Sequence, residues 1–94
     1  MEPITLAITA FSAVQSAVKA IKQAQQTVDD VKSLGPLLGR YFDAKQQATK
    51  AVIQAKKKGG SNLGQAIEIE LALKDQVQEM ILIMFILYLI KIKQ

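Results

Sequence analysis

The chain has 94 residues and a formal net charge of +4, and it contains neither cysteine nor histidine. This length allows one small domain, which is marginally stable as an isolated globule. Disulfide bonds cannot reinforce it, and the thiolate and imidazole ligands of ordinary zinc sites are missing. These features argue against a disulfide-framed secreted domain and against a zinc protein.

The composition favours long helices over a dense globular core. Half of the residues are hydrophobic, but only 5% are aromatic, and a compact core normally uses more aromatic area. Alanine, the strongest helix former, and glutamine, a good one, are both abundant. We therefore predict an all-α chain, residues 1–94, that forms a single oligomeric unit of two to three helices.

The first helix is predicted over residues 3–33. Pro3 lies in its first turn, and Glu2 lies beside its positive end. Apolar residues then recur at spacings of three and four, which is the a/d pattern of about three heptads in a coiled coil. We expect this seam to join copies of the chain through Phe11, Val14, Val18, Ile21 and Val28. Residues 3–18 are uncharged but too polar for a confident membrane span, and Glu2 does not suit a secretory signal.

The second helix is predicted over residues 37–57, between the Gly35-Pro36 break and a Gly-Gly-Ser hinge at 59–61. Its inner face is a line of small residues at spacings of four, three and four, which allows a neighbouring helix to approach closely. Residues 35–60 carry a net charge of +5, so the basic character of the chain is concentrated here. The inner face consists of Ala44, Ala48, Ala51 and Ala55.

A lysine cluster, Lys56, Lys57 and Lys58, ends the second helix. One interpretation is a solvated helix end, because lysines complement the negative end of the helix dipole. The other is contact with phosphates of DNA or of anionic lipid. Because no aromatic residues are interleaved with the lysines, sequence-specific reading of bases is not expected.

The third helix is predicted over residues 62–91. It begins with an amphipathic stripe and then becomes apolar on all sides for eleven residues. As a helix this run is about 16 Å long, against a hydrocarbon thickness of roughly 30 Å, so a single membrane span is not expected. The stripe is Leu63, Ala66, Ile69, Leu73, Val77 and Met80, and the apolar run is Met80, Ile81, Leu82, Ile83, Met84, Phe85, Ile86, Leu87, Tyr88, Leu89 and Ile90.

Three environments suit this apolar run. It can dock in the core of a multi-chain assembly. It can also insert into a membrane, with Tyr88 at the interface and Lys91 and Lys93 reaching toward water. Its isoleucines also permit a buried strand within residues 80–94. All three need a partner surface, because an element that is apolar on every side cannot remain in water.

No catalytic, cofactor or metal site is predicted. Asp29 and Asp30 are adjacent and point to different sides of a helix, and nothing near Asp75 and Glu79 would tune either as an acid. The segment GGSNLG lacks the lysine of a phosphate-binding loop and follows no strand. We therefore expect a non-enzymatic protein without a small-molecule substrate.

Three segments carry a resemblance to small structural proteins of tailed bacteriophages, especially marine ones. They are MEPITLAITAFSAV, LGPLLGRYFDAKQQATKA and GGSNLGQAIEIELALK, and the resemblance covers residues 1–79. The uncharged first helix leading into helices rich in alanine and glutamine is also similar to internal ejection proteins of short-tailed phages. The resemblance implies a virion component inside the capsid or near the portal and tail, built from several copies together with other virion proteins.

The leading hypothesis is therefore a virion structural or ejection protein whose apolar end docks on other virion proteins or on the host membrane. A second hypothesis is a holin-like pore of the host inner membrane, with residues 3–18 and 80–90 facing the bilayer. A third is a helical adaptor whose apolar tail is covered by a partner.

Overall fold

The computed structural model describes residues 2–26 and 34–93, and these contain three α-helices. Helix α1 is Pro3–Gln25, α2 is Gly35–Lys58 and α3 is Leu63–Lys93, with a short 3-10 turn at Gly60–Asn62 before α3. The prediction of an all-α fold is confirmed. Within the described residues the apolar run is helical throughout, so its interpretation as a strand is wrong.

The three helices form an elongated up-down-up bundle of 52 × 20 × 16 Å. Helix α2 returns antiparallel to α1, since Lys58 at its end lies 3.6 Å from the Glu2 carboxylate at the start of α1. Helix α3 then runs parallel to α1, and Lys22 and Glu79 form an ion pair between them. The long α3 continues beyond this pair to Lys93.

The ends of α1 and α2 differ in detail from the prediction. Helix α1 ends at Gln25, within the predicted range of 3–33. Helix α2 begins at Gly35, so Pro36 lies in its first turn. Proline fits there, since an N–H in the first turn has no partner within the helix. Residues 27–33, including Val28, lie outside the described residues.

The hinge between α2 and α3 depends on two glycines. Gly59 and Gly60 have φ angles of 66° and 71°, a region that residues with a Cβ rarely adopt. The Gly59 N–H donates to the carbonyl oxygen of Ala55 at 3.2 Å and so caps the end of α2. The chain can therefore reverse direction within a few residues.

Two apolar clusters fill the bundle along its length. The proximal cluster, beside the Gly59-Gly60 turn, contains Ile4, Ala7, Ala51, Val52, Ala55, Ala66 and Ile69. The distal cluster, toward the other end, contains Ala10, Val14, Ala17, Val18, Ile21, Leu34, Tyr41, Ala44, Ala48, Leu73, Met80, Ile83 and Leu87. Phe11 is half-buried and packs against both clusters, which joins them into one core.

The predicted stripes of α2 and α3 form most of this core. All four alanines of the predicted α2 face are buried, and their small side chains allow α1 and α3 to pack closely against α2. In α3, Ala66, Ile69, Leu73 and Met80 are buried and Val77 is half-buried. Leu63 is exposed, because it is the first residue of α3.

A larger side chain at the centre of the alanine line should destabilise the bundle. Ala48 is completely buried, so Ala48→Leu should lower the free energy of unfolding by about 1–3 kcal/mol through overpacking. Urea unfolding followed by circular dichroism measures this change. Ala13→Leu, at an exposed alanine of α1, is the control, and an equal effect of both substitutions would contradict close packing along α2.

Tyr41 is the largest fully buried side chain of the core. Its ring packs edge-on against Phe42, with the ring centroids 5.1 Å apart. Burial raises the pKa of the Tyr41 hydroxyl above its ordinary value of 10.0, because desolvation disfavours the phenolate. The folded state therefore holds this proton at a pH where the unfolded chain releases it.

The shift in the Tyr41 pKa predicts how stability changes in alkali. The contribution of neutral Tyr41 is fully present below pH 10.0 and is lost as the pH rises from there toward the higher pKa of the folded state. In a Tyr88→Phe variant Tyr41 is the sole tyrosine of the chain. The ultraviolet absorbance of its phenolate should then titrate with a midpoint above 10.0 in the folded protein and near 10.0 in urea. Equal midpoints would contradict the burial of Tyr41.

Candidate functional site

The residues of the predicted oligomer seam lie in the core of the chain itself. Val14, Val18 and Ile21 are buried in the distal cluster, and Phe11 is half-buried. Val28 lies outside the described residues. The four described residues of the seam pack against α2 and α3 of the same chain, so these side chains do not offer a free surface to a second copy.

The lysine cluster at the end of α2 is partly paired with carboxylates. Lys56 Nζ donates to both carboxylate oxygens of Glu70 on α3, at 3.1 and 3.0 Å, and Lys58 is paired with Glu2. The cluster also complements the negative end of the α2 dipole. These contacts favour the interpretation as a solvated helix end, because two of the three predicted phosphate contacts already have an anionic partner.

The apolar run of α3 divides into a buried side and an exposed side. Met80, Ile83 and Leu87, at spacings of three and four, are buried in the distal cluster. The remaining eight residues of the run are exposed, and so is Ile92 beyond it. The bundle therefore covers only one side of a helix that is apolar all round.

Six exposed side chains form one continuous stripe, which we call the distal face. With about 100° of rotation per residue, they occupy an arc of about 120° on the side of α3 opposite to the buried residues. Five of them are between 59% and 65% exposed, and Leu89 is 42% exposed. The distal face consists of Ile81, Leu82, Phe85, Tyr88, Leu89 and Ile92.

Ile92 is a member of the distal face that the sequence analysis missed. The predicted apolar run ends at Ile90, and Lys91 separates Ile92 from it. Helical spacing was the available signal, since Ile92 follows Phe85 by seven residues and Tyr88 by four. Lys91 and Lys93 flank it, and both are exposed.

More than half of the large exposed apolar residues of the described chain lie toward the end of α3. Of sixteen large exposed hydrophobic residues, nine lie between residues 81 and 92. Of the other seven, Leu6, Ile8, Phe42 and Ile53 lie on α1 and α2, and Leu63, Ile67 and Leu71 lie in the first part of α3 at spacings of four residues. Single exposed apolar residues are normal, whereas a contiguous patch indicates an interaction site.

The grooves between helices contain few charged side chains. A groove of about 370 Å³ between α1 and α2 contains Thr9, Gln47 and Lys50 among small residues. A groove of about 360 Å³ between α2 and α3 contains Glu70 and Lys74. In the part of the chain that the structure describes, no three carboxylates come together to form a metal site.

One helix within the described ranges, α1, is long and apolar enough to cross a membrane. Seven of its residues are buried against the other helices, however, including Ala7, Val14 and Ile21. A core helix of a bundle has the same length and hydropathy as a span. The composition of α1 therefore does not distinguish the two.

Two neighbouring isoleucines test the division of α3 into two sides. Ile83 is 5% exposed and Ile81 is 59% exposed. Ile83→Asp should lower the free energy of unfolding by about 3 kcal/mol or more, because it buries an unpaired carboxylate. Ile81→Asp should change it by less than about 0.5 kcal/mol in dilute solution. Thermal and urea unfolding measure both, and equal losses would contradict the assignment of the distal face.

No family model, curated protein or solved structure matches this chain. The distal face, defined by its own geometry, is therefore the basis for a functional proposal.

Proposed function

We propose that this protein is a non-enzymatic assembly protein that docks on another protein through the distal face. The observation that supports this is the exposure of six large apolar side chains on one side of a helix whose other side is held in a folded core. The docking helix is therefore positioned before any partner arrives, which lowers the entropic cost of binding.

The area of the distal face suits a protein interface. Residues of this size, about 60% exposed, present roughly 100 Å² each, so the face offers on the order of 600 Å². A standard interface buries about 800 Å² per partner, and the smallest stable ones bury about 600 Å². Monomers seldom leave an apolar patch of this extent uncovered.

Two lysines near the apolar run disfavour deep, end-on insertion of α3 into a bilayer. Lys91 and Lys93 lie in the last turn of α3. End-on insertion would carry both ammonium groups into the hydrocarbon first, at a cost of about 2.5–3.5 kcal/mol each at the bilayer centre. A facing helix can cover Phe85 and Ile92 while both lysines remain in water.

The resemblance to structural proteins of tailed phages supplies a setting for this role. In that setting the chain is a virion structural or ejection protein, and the distal face docks on a neighbouring virion protein. Docking on the host membrane is the alternative within the same setting.

A holin-like pore is the second candidate, and the observation that favours it is the length and hydropathy of α1. A pore would require α1 to leave the bundle and expose Val14 and Ile21 to lipid. The docking role needs no such rearrangement, and we therefore prefer it.

Photo-crosslinking at two phenylalanines tests the docking role. Phe85 lies on the distal face and Phe42 is an exposed phenylalanine of α2, at 59% and 47% exposure. The full chain is irradiated in the cells or particles that naturally contain it. With p-benzoylphenylalanine at position 85, it should give a discrete protein adduct. Position 42 should give little adduct, because it lies outside the face. The adduct at position 85 should disappear when Ile81→Asp is added.

Two results would contradict a protein-docking role. One is equal crosslinking from positions 42 and 85. The other is flotation of the purified wild-type chain with vesicles of phosphatidylethanolamine and phosphatidylglycerol, together with loss of flotation in the Ile81→Asp variant. That second result would assign the distal face to a membrane.

A further inference from the structure

We propose that the occupant of the distal face is a second copy of this chain, with the two α3 helices packed antiparallel. This inference rests on the docking role proposed above and names the partner. Three features of α3 support it: the spacing of the exposed residues, the distribution of charge along the helix and the position of the other helices.

The spacing of the exposed residues is complementary to itself when the helix is reversed. Ile81, Phe85, Tyr88 and Ile92 follow one another at four, three and four residues. That order reads the same in both directions. In an antiparallel pair Ile81 therefore lies opposite the partner's Ile92, and Phe85 lies opposite the partner's Tyr88. An interface of this kind is isologous and closes as a dimer with two-fold symmetry.

Leu82 and Leu89 lie beside this central line, seven residues apart. Both helices then contribute knobs and holes along the same stretch, as in an antiparallel coiled coil. The contact combines two faces of on the order of 600 Å² each, which reaches the lower end of the range for specific interfaces.

Charge along α3 favours the antiparallel orientation. Residues 67–79 of α3 carry a net charge of −3, with Glu70 and Glu79 paired to Lys56 and Lys22 of the other helices, whereas Lys91 and Lys93 give the last turn of α3 a charge of +2. In the register described above, Lys93 lies opposite the partner's Met80, one residue from the partner's Glu79. A parallel pair would instead bring four ammonium groups together, and like charges at such a contact are unfavourable.

Within residues 2–26 and 34–93, the other helices leave this side of α3 open. Helices α1 and α2 pack against the side that carries Met80, Ile83 and Leu87. The distal face points in the opposite direction. Two bundles can therefore meet through α3 with α1 and α2 on the outside of the dimer.

Sedimentation velocity of the full purified chain tests the pairing. The wild-type chain should sediment as a dimer that dissociates on dilution, and Ile81→Asp should weaken association on the order of 100-fold, because the change occurs twice in the interface. Ile53→Asp is the matched control, at an isoleucine of α2 that is 46% exposed and lies off the distal face. It should leave the dimer unchanged.

The orientation is tested with introduced cysteines, since the chain has none of its own. An Ile81→Cys chain is mixed with an equal amount of an isotopically labelled Ile92→Cys chain and oxidised. In the antiparallel register the mixed 81–92 disulfide should clearly exceed the half of all products that random pairing gives. Excess of the 81–81 and 92–92 products would overturn the antiparallel arrangement.

The outcomes separate this inference from the docking role. A purified chain that remains monomeric at all concentrations overturns the pairing. If position 85 then gives an adduct whose mass differs from twice that of the chain, the docking role stands with an unlike protein as the partner. If position 85 gives no adduct above position 42, both proposals are overturned.

Discussion

The structure depends on one constraint: α3 is apolar on all sides over its last turns, but a bundle can cover only one of them. Met80, Ile83 and Leu87 occupy the covered side and complete the distal cluster. The opposite side is left with the six residues of the distal face. Since neither side can be buried without leaving the other exposed, the folded chain still carries a solvent-exposed hydrophobic surface.

The close packing of the first two helices makes this arrangement possible. The buried alanines of α2 let α1 and α3 approach, and the residues of α1 with a/d spacing fill the space between them. The chain therefore forms a core with few aromatic residues and without disulfide bonds. As a consequence the heptad pattern of α1, which resembles a coiled-coil seam, is used within the chain, and the larger apolar residues of the distal face remain exposed.

Three ion pairs link different elements of the described chain. Glu2 with Lys58, Lys22 with Glu79, and Lys56 with Glu70 each join two different elements. Exposed pairs of this kind contribute little stability, typically less than about 1 kcal/mol each. They suit the up-down-up order, however, because each pair forms only when its helices run in the observed directions.

Much of the fold was predictable from local patterns. Gly35-Pro36 and Gly59-Gly60 separate the helices, and the stripes of α2 and α3 follow from their spacing, because helix formation and amphipathicity depend on neighbouring residues. An exposed apolar surface on α3 was also predictable, since a bundle cannot cover eleven consecutive apolar residues on every side. Which of them would be exposed was not. The rotation of α3 against the bundle assigns Ile83 to the core and Ile81 to the surface, and adds Ile92 to the face. That rotation, like the burial of Val14 and Val18 within the chain, is decided by packing among residues distant in sequence. A run that is apolar at every position has no periodicity, so its sequence does not indicate which side faces the core.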